Sequence, residues 1–317
     1  MSSQIIKWDT LYLGKECVHV VYIANTTIIY LLGTNHISEY SARIARKLIL
    51  NVDPDVVTVE LCRRRLEDAN RFGGDPNFGK RYQLLEQIPK YLRKKAAAEM
   101  IRLRLTTMAM EYCEKFPGAR RSAAAKATSS STTEHRLSRF TLKWRGYRVQ
   151  PVQVCEMRIA GDIFAPFRDK IWHLQSNQSN VLYSSEVRYK IVMADLPIER
   201  TYARLVSVLG DDEKRTIRQY EHNFVELFLK NKTGIMGRIW RTNSAIADVV
   251  IGERNRYLAY ETLKATQAAP TTRDTAKPVQ VVGLVGRRHV DGIIKLWKSD
   301  YMQKWLANNK LLAQRNW

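Results

Sequence analysis

Along the first third of the chain, apolar and polar positions predict two strands, a helix and a further strand. Cys17–Ala24 and Thr27–Leu32 are rich in Val, Ile, Tyr and Thr, and Asn25-Thr26 between them marks a hairpin turn. The second strand runs into Gly33-Thr34-Asn35-His36. Ser38 can cap a helix from about Glu39 to Asn51, with Ile44, Leu48 and Ile49 on its inner face. Asp53-Pro54-Asp55 breaks that helix, and Val56-Val57-Thr58-Val59 follows as a buried strand ending at Glu60. Strand, helix and strand in this order form a β-α-β unit, which implies parallel strands and a right-handed crossover.

The pattern turns helical from Arg81 to about Phe116, with a break near Pro89. Pro117–Thr133 lacks apolar periodicity and reads as a flexible loop. Gly146–Val154 reads as a strand, Gly161–Leu174 as an amphipathic helix and Ser176–Asn180 as a polar loop. Tyr189–Ala194 is a strand ending at Asp195, and Leu196-Pro197 opens a helical stretch reaching about Lys264. Gln267–Lys277 is a polar linker. Val279–Val285 is the last strand and leads into Gly286-Arg287-Arg288-His289, after which a helix carries Ile293, Ile294 and Trp297. The expected fold is α/β. It has a central mixed sheet with a β-hairpin and β-α-β start, a large helical middle region, and a closing strand and helix. One domain over about 17–298 is expected, between an N-terminal extension (1–16) and a C-terminal tail (299–317).

Composition fits that picture: 317 residues, 45% of them hydrophobic, can bury a large core. No apolar run approaches the ~20 residues that span a bilayer. The closest, Val18–Leu32, is interrupted by Asn25-Thr26-Thr27. The start of the chain shows neither a secretory apolar core nor an Arg-rich presequence. Cys17, Cys62, Cys113 and Cys155 form no C-x-x-C pair, which argues against structural zinc and a disulfide framework. An intracellular, non-secreted protein is therefore expected.

Charge adds a partner class. Net charge is +21, from 52 Lys+Arg against 31 Asp+Glu, and favours RNA, DNA, an anionic membrane surface or an acidic protein. Arg93–Arg148 holds fourteen basic against four acidic residues, a basic insert with nearly half the excess. A solvated basic face accounts for it equally well, and no RRM, KH or zinc-finger signature supplies base readout.

Three polar groups, His36, Glu60 and His289, lie just past the carboxyl ends of strands, and Asp195 is a fourth. Ligand sites of open α/β sheets form at those ends. A glycine three residues before a histidine allows a tight turn, from which the imidazole can act as base or metal ligand. A structural histidine is the bland alternative. Glu60 can be a metal ligand, a general base or the ion-pair partner of an arginine, with Arg63, Arg64 and Arg65 close by in sequence. Glu253-Arg254 lies in the helical stretch, where a surface ion pair is the simplest reading.

The motifs together resemble those of the TraB family, which includes pheromone-shutdown proteins and Tiki-type proteases. Gly33-Thr34-Asn35-His36-Ile37-Ser38 resembles its G-T-x-H-x-S opening, and Pro54-Asp55-Val56-Val57-Thr58-Val59-Glu60-Leu61-Cys62 its P-D-x-V-x-V-E-L-C motif. Asp195-Leu196-Pro197-Ile198 is similar to D-R-P-I, Glu253-Arg254-Asn255-Arg256-Tyr257-Leu258 to E-R-D-x-Y-L, and Val285–Ile293 to V-G-x-x-H-x-x-G-I. The resemblance spans about 28–297. Two departures stand out: Leu196 replaces the arginine of D-R-P-I, and Arg287-Arg288 precede His289, which disfavours a metal cation there and favours an anionic substrate. The basic insert belongs to no motif of the family.

The resemblance implies a metal-dependent hydrolase acting on peptide or ester bonds. His36, Glu60 and His289 would hold Mn²⁺, Co²⁺ or Zn²⁺, and Glu253 would be a ligand or activate water. Arg254 would orient a carboxylate or stabilise an oxyanion. Asp195, Arg287, Arg288 and Asn35 would bind a peptide or small acidic substrate. A metal-free form would use His36 as base, polarised by Glu60. The intracellular branch of the family, often linked with mitochondria, also implies a non-catalytic binding or regulatory protein.

Overall fold

The computed structural model of the chain describes residues 6–23, 26–35, 39–62, 64–65, 84–117, 181–182, 189–231, 234–269 and 277–299. Its strands are β1 (Ile6–Leu13), β2 (Glu16–Ile23), β3 (Thr27–Thr34), β4 (Val56–Val59), β5 (Val181–Leu182), β6 (Lys190–Met193) and β7 (Val279–Gly286). Its main helices are α1 (Glu39–Val52), α2 (Arg93–Lys115), α3 (Ile198–Ser207), α4 (Asp211–His222), α5 (Phe224–Asn231) and α6 (Ile235–Thr242), then α7 (Ser244–Ala247), α8 (Glu253–Lys264) and α9 (Arg287–Trp297). A π turn over Asp248–Gly252 joins α7 to α8. The expected elements at 146–154, 161–174 and 176–180, and all but the first residue of the loop at 117–133, lie outside the described residues.

The chain divides into two compact units. One comprises Met1–Glu67, Gln153–Leu196 and Ile251–Trp317, the other Asp68–Val152 and Pro197–Val250. Among the described residues, most of the helices expected in the middle of the chain fall in the second unit.

In the first unit the strand order is β1-β2-β3-β7-β4-β6-β5. β1, β2 and β3 are antiparallel neighbours. β3, β7, β4 and β6 run parallel, and β5 returns antiparallel to β6. This is the mixed sheet expected, with β7 inserted between the two strands of the β-α-β unit. Residues 6–13, read from the sequence as part of an extension, form the edge strand β1. Its Lys7, Asp9, Thr10, Leu11 and Tyr12 are all exposed, and its apolar/polar alternation, begun at Ile6-Lys7-Trp8-Asp9, breaks at Leu11-Tyr12-Leu13.

The sheet is covered on both faces, which explains the unbroken apolar runs of its central strands. On one face Ile44, Ala45, Leu48 and Ile49 of α1 pack on Leu32, Val57, Val59 and Leu284. On the other, Leu258, Ala259 and Leu263 of α8 and Val290, Ile293 and Trp297 of α9 pack on Ile29, Leu31, Val56 and Val281. The buried positions of α8 are Asn255, Leu258, Ala259, Thr262 and Leu263, one helical stripe. Trp297 is fully buried, and its Nε1–H donates to the Ala259 carbonyl at 3.1 Å, tying α9 to α8. Gly33 permits the close approach of α9: a Cβ there would lie 2.7 Å from Val290 Cγ2 and 3.2 Å from Arg287 Cα.

The described residues of the second unit are mostly helical. The first stretch of the basic insert is its long helix α2, whose buried side includes Ala96, Leu103, Met110 and Cys113. The Tyr112 and Tyr202 rings bring α2 against α3, with centroids 5.8 Å apart. Glu99 of α2 is buried and accepts the Gly237 N–H of α6 at 2.8 Å.

Replacing Trp297 with alanine removes the largest buried side chain and the α8–α9 hydrogen bond together. Trp297→Ala is expected to lower the unfolding free energy by ~3–5 kcal/mol, read from the urea midpoint. A midpoint unchanged from the parent would contradict this packing.

Candidate functional site

The parallel ladder delivers acidic side chains to one edge of the sheet in the first unit. Glu60 N–H continues the β4–β7 ladder to the Leu284 carbonyl at 3.1 Å, and Asp195 N–H reaches the Leu61 carbonyl at 3.2 Å. Glu60 and Asp195 therefore follow adjacent strands, β4 and β6, at their carboxyl ends. Both are buried, at 4% and 3% exposure, so two carboxylates sit where water cannot screen them.

Arg254, one residue into α8, neutralises both. Its Nε donates to Asp195 Oδ1 at 2.9 Å and its Nη2 to Asp195 Oδ2 at 2.7 Å, a two-pronged pair. The same Nη2 lies 2.5 Å from Glu60 Oε1. Burial by itself would lower the Arg254 pKa, but the Asp195 and Glu60 carboxylates outweigh it and hold it above its ordinary value. Arg65 adds a second guanidinium: its Nη1 donates to Asp195 Oδ2 at 2.8 Å and to the Glu60 carbonyl at 3.3 Å. The Leu196 N–H completes the set on Asp195 Oδ1 at 2.8 Å.

The other oxygen of Glu60 faces the start of α9. Glu60 Oε2 accepts the Gly286 N–H at 2.5 Å, so the carboxylate occupies the N-terminal end of that helix, where the dipole favours negative charge. His289, in the first turn of α9, is buried between two partners. Its Nδ1 lies 2.6 Å from Asn255 Oδ1 and its Nε2 3.3 Å from Glu60 Oε1. A ring nitrogen facing an amide oxygen is the donor, which makes Nδ1 the protonated nitrogen toward Asn255. Gly292 makes this possible, because a Cβ there would overlap the Asn255 carboxamide, 2.8 Å from its Cγ.

The structure thus brings together four of the residues singled out from the sequence: Glu60, Asp195, Arg254 and His289. His36 lies outside the described residues. Glu253 opens α8 half-buried, and it is its neighbour Arg254 that reaches the carboxylates. Asn35 is exposed, and its N–H donates to Ser41 Oγ at 3.1 Å. Arg287 is exposed and pairs with Glu16 of β2 at 2.6 Å, and Arg288 is exposed on α9. Successive helical residues point in different directions, so these two arginines leave the buried face to His289. The cation that shares Glu60 with His289 is Arg254.

Two participants were missed. Asn255 heads the apolar stripe of α8, and a polar residue at such a position needs a buried partner, which is the signal that could have found it. Arg65, expected as a partner of the Glu60 carboxylate, instead pairs with the Asp195 carboxylate and the Glu60 carbonyl.

Among the described residues of this cluster, protein groups take the positions around Glu60 and Asp195. Both Glu60 oxygens are engaged, and a guanidinium already holds the position of the cation between Glu60 and Asp195. Among the described residues, no three His, Cys, Asp or Glu side chains converge as a metal site requires. None of the buried polar side-chain atoms of Glu60, Asp195, Asn255 or His289 lacks a partner.

Fold and site together define an α/β domain with a buried ion-pair cluster at the carboxyl edge of a mixed sheet. A curated Bos taurus protein described as "TraB domain-containing protein" is 22% identical to this chain over 282 residues. The match covers 86% of this chain and 63% of that protein, so the chain spans less than two thirds of the relative's length. No family model matches the chain, and no solved structure matches it.

Breaking the cluster from one side should leave a buried charge unpaired. Glu60→Gln and Arg254→Met are each expected to destabilise by about 3–5 kcal/mol, and the double variant by clearly less than their sum. Strictly additive losses in urea denaturation would contradict the coupling.

Proposed function

We propose that this chain is a TraB-family protein of the binding or regulatory kind, acting inside the cell on an acidic partner. In this reading the motif residues form a structural lock rather than a reaction centre. Family membership is supported by the likeness to the bovine TraB domain-containing protein and by the clustering of Glu60, Asp195, Arg254 and His289 from separate motifs. The observation that carries the binding reading is the saturation of that cluster. Each carboxylate oxygen of Glu60 and Asp195 already has a protein donor, so neither acid is free to anchor substrate or metal without breaking a buried ion pair. No helix among the described residues is long and apolar enough to cross a membrane, and the net charge of +21 suits an acidic partner at a surface, including that of mitochondria.

One feature favours a second reading, a metal-free hydrolase. His289 lies between Asn255 and Glu60, with its Nε2 3.3 Å from Glu60 Oε1, close enough for the two to share a proton gained by either one. Arg254 beside them would orient a substrate carboxylate or carbonyl oxygen. The metal-dependent form requires Arg254 to release Glu60.

The two readings separate in one set of assays on the purified chain. The binding reading predicts no turnover of peptide or ester substrates, with or without added Mn²⁺, Co²⁺ or Zn²⁺, and salt-sensitive retention on heparin. Turnover that survives EDTA and disappears in His289→Ala would overturn it in favour of the metal-free hydrolase. Turnover that needs added metal would restore the metal-dependent one.

A further inference from the structure

The second unit carries a surface that neither the cluster nor the family motifs use. Pro89 breaks the chain, the turn Lys90–Leu92 follows, and α2 starts at Arg93. Lys90, Arg93, Lys94 and Lys95 are all exposed, and Tyr91 among them is 83% exposed. From Gln87 to Ala98 the sequence contains no Asp or Glu. Ile101, two turns further along α2, is 71% exposed. Tyr91, Lys94, Ala98, Ile101 and Leu105 recur at helical spacing, so aromatic, aliphatic and basic groups share one outward face.

Three physical features point to one occupant. First, the first turn of α2 holds cations and no acid, so like charge is packed at the positive end of a helix. That arrangement costs stability in water and is relieved by an external array of negative charge. Second, an aromatic ring beside lysines is suited to the boundary between lipid headgroups and acyl chains, where one end of the side chain is apolar and the other wet. Third, the aliphatic Ile101 has nothing to gain from stacking on bases, which disfavours nucleic acid, and a second copy would bring the same four cations face to face.

We propose that this face of α2 docks on the surface of an anionic lipid bilayer. Lys94 on that stripe, with Lys90 and Lys95 flanking it, meets the headgroup charge, and Tyr91 and Ile101 enter the boundary. The contact is peripheral and reversible, as suits a chain with no bilayer-spanning helix among its described residues. The inference rests on the binding reading above and gives its acidic partner a chemical identity.

Sedimentation of the full chain with vesicles tests it. The chain should pellet with phosphatidylcholine vesicles containing phosphatidylserine and stay soluble with phosphatidylcholine alone, and added salt should release it. Replacing Lys90, Lys94 and Lys95 together by glutamine should weaken binding about a hundredfold, from roughly fivefold per cation. Arg93 is kept, because its guanidinium holds the carbonyls of Ile88 and Glu86. Tyr91→Ser with Ile101→Ser should weaken binding to the same vesicles while leaving heparin retention unchanged. Both variants alter exposed side chains, and an unchanged thermal midpoint verifies their folding. Equal binding to neutral vesicles, or full binding by the lysine variant, would overturn the inference. So would RNA that displaces the chain from vesicles through the same residues, or a dimer that Ile101→Ser dissolves. Heparin retention without vesicle binding removes this inference and leaves the binding reading standing, whereas failure with both removes both.

Discussion

Two carboxylates at the ends of neighbouring buried strands repel each other unless a cation lies between them, and Arg254 is that cation. Its guanidinium joins Asp195 after β6 to Glu60 after β4, and so fixes the start of α8 against the sheet edge. Through its second oxygen, Glu60 takes the Gly286 amide at the N-cap of α9, and His289 closes the circuit back to α8 through Asn255. Three strand ends and two helix starts are thereby held by one network. Removing one member of such a network leaves a desolvated charge behind, which is why these residues act as a set and not as separate contacts.

The glycines belong to the same constraint. Gly33 lets the first turn of α9 lie directly on β3, and Gly292 leaves room for the Asn255 carboxamide beside His289. A Gly-x-x-His pattern suggests a device for projecting an imidazole. At the Gly286 turn the imidazole is instead turned inward onto Glu60. A residue pattern that suggests a metal centre can equally be made by an arginine-centred ion pair, since guanidinium and metal cation solve the same electrostatic problem for buried carboxylates.

Much of this was legible in the sequence. The unbroken Val-rich runs of β4 and β7 gave away strands covered on both faces, and the spacing of Ile44, Leu48 and Ile49 gave the inner face of α1. Glu60, Asp195 and His289 were placed correctly past strand ends because a strand's terminus is a local property. What escaped depended on partners distant in sequence. β1 is an edge strand whose alternation breaks after Asp9, and β5 is two residues long, too short for any period. The choice of Arg254 over Glu253 was readable in hindsight. Arg254 lies four residues before Leu258, toward the buried stripe, and Glu253 lies off it. That Arg65 would serve Asp195 rather than Glu60 was not readable, because sequence distance to Glu60 says nothing about which carboxylate lies nearer after folding.

The central claim is that Arg254 is the resident cation of this site. Crystals grown with Mn²⁺ in excess, measured for anomalous scattering from manganese, test it most directly. The account predicts no manganese peak between Glu60 and His289, with the Arg254 guanidinium in place on Glu60 and Asp195. A manganese ion bonded to Glu60 and His289, with Arg254 displaced from Glu60, would contradict it.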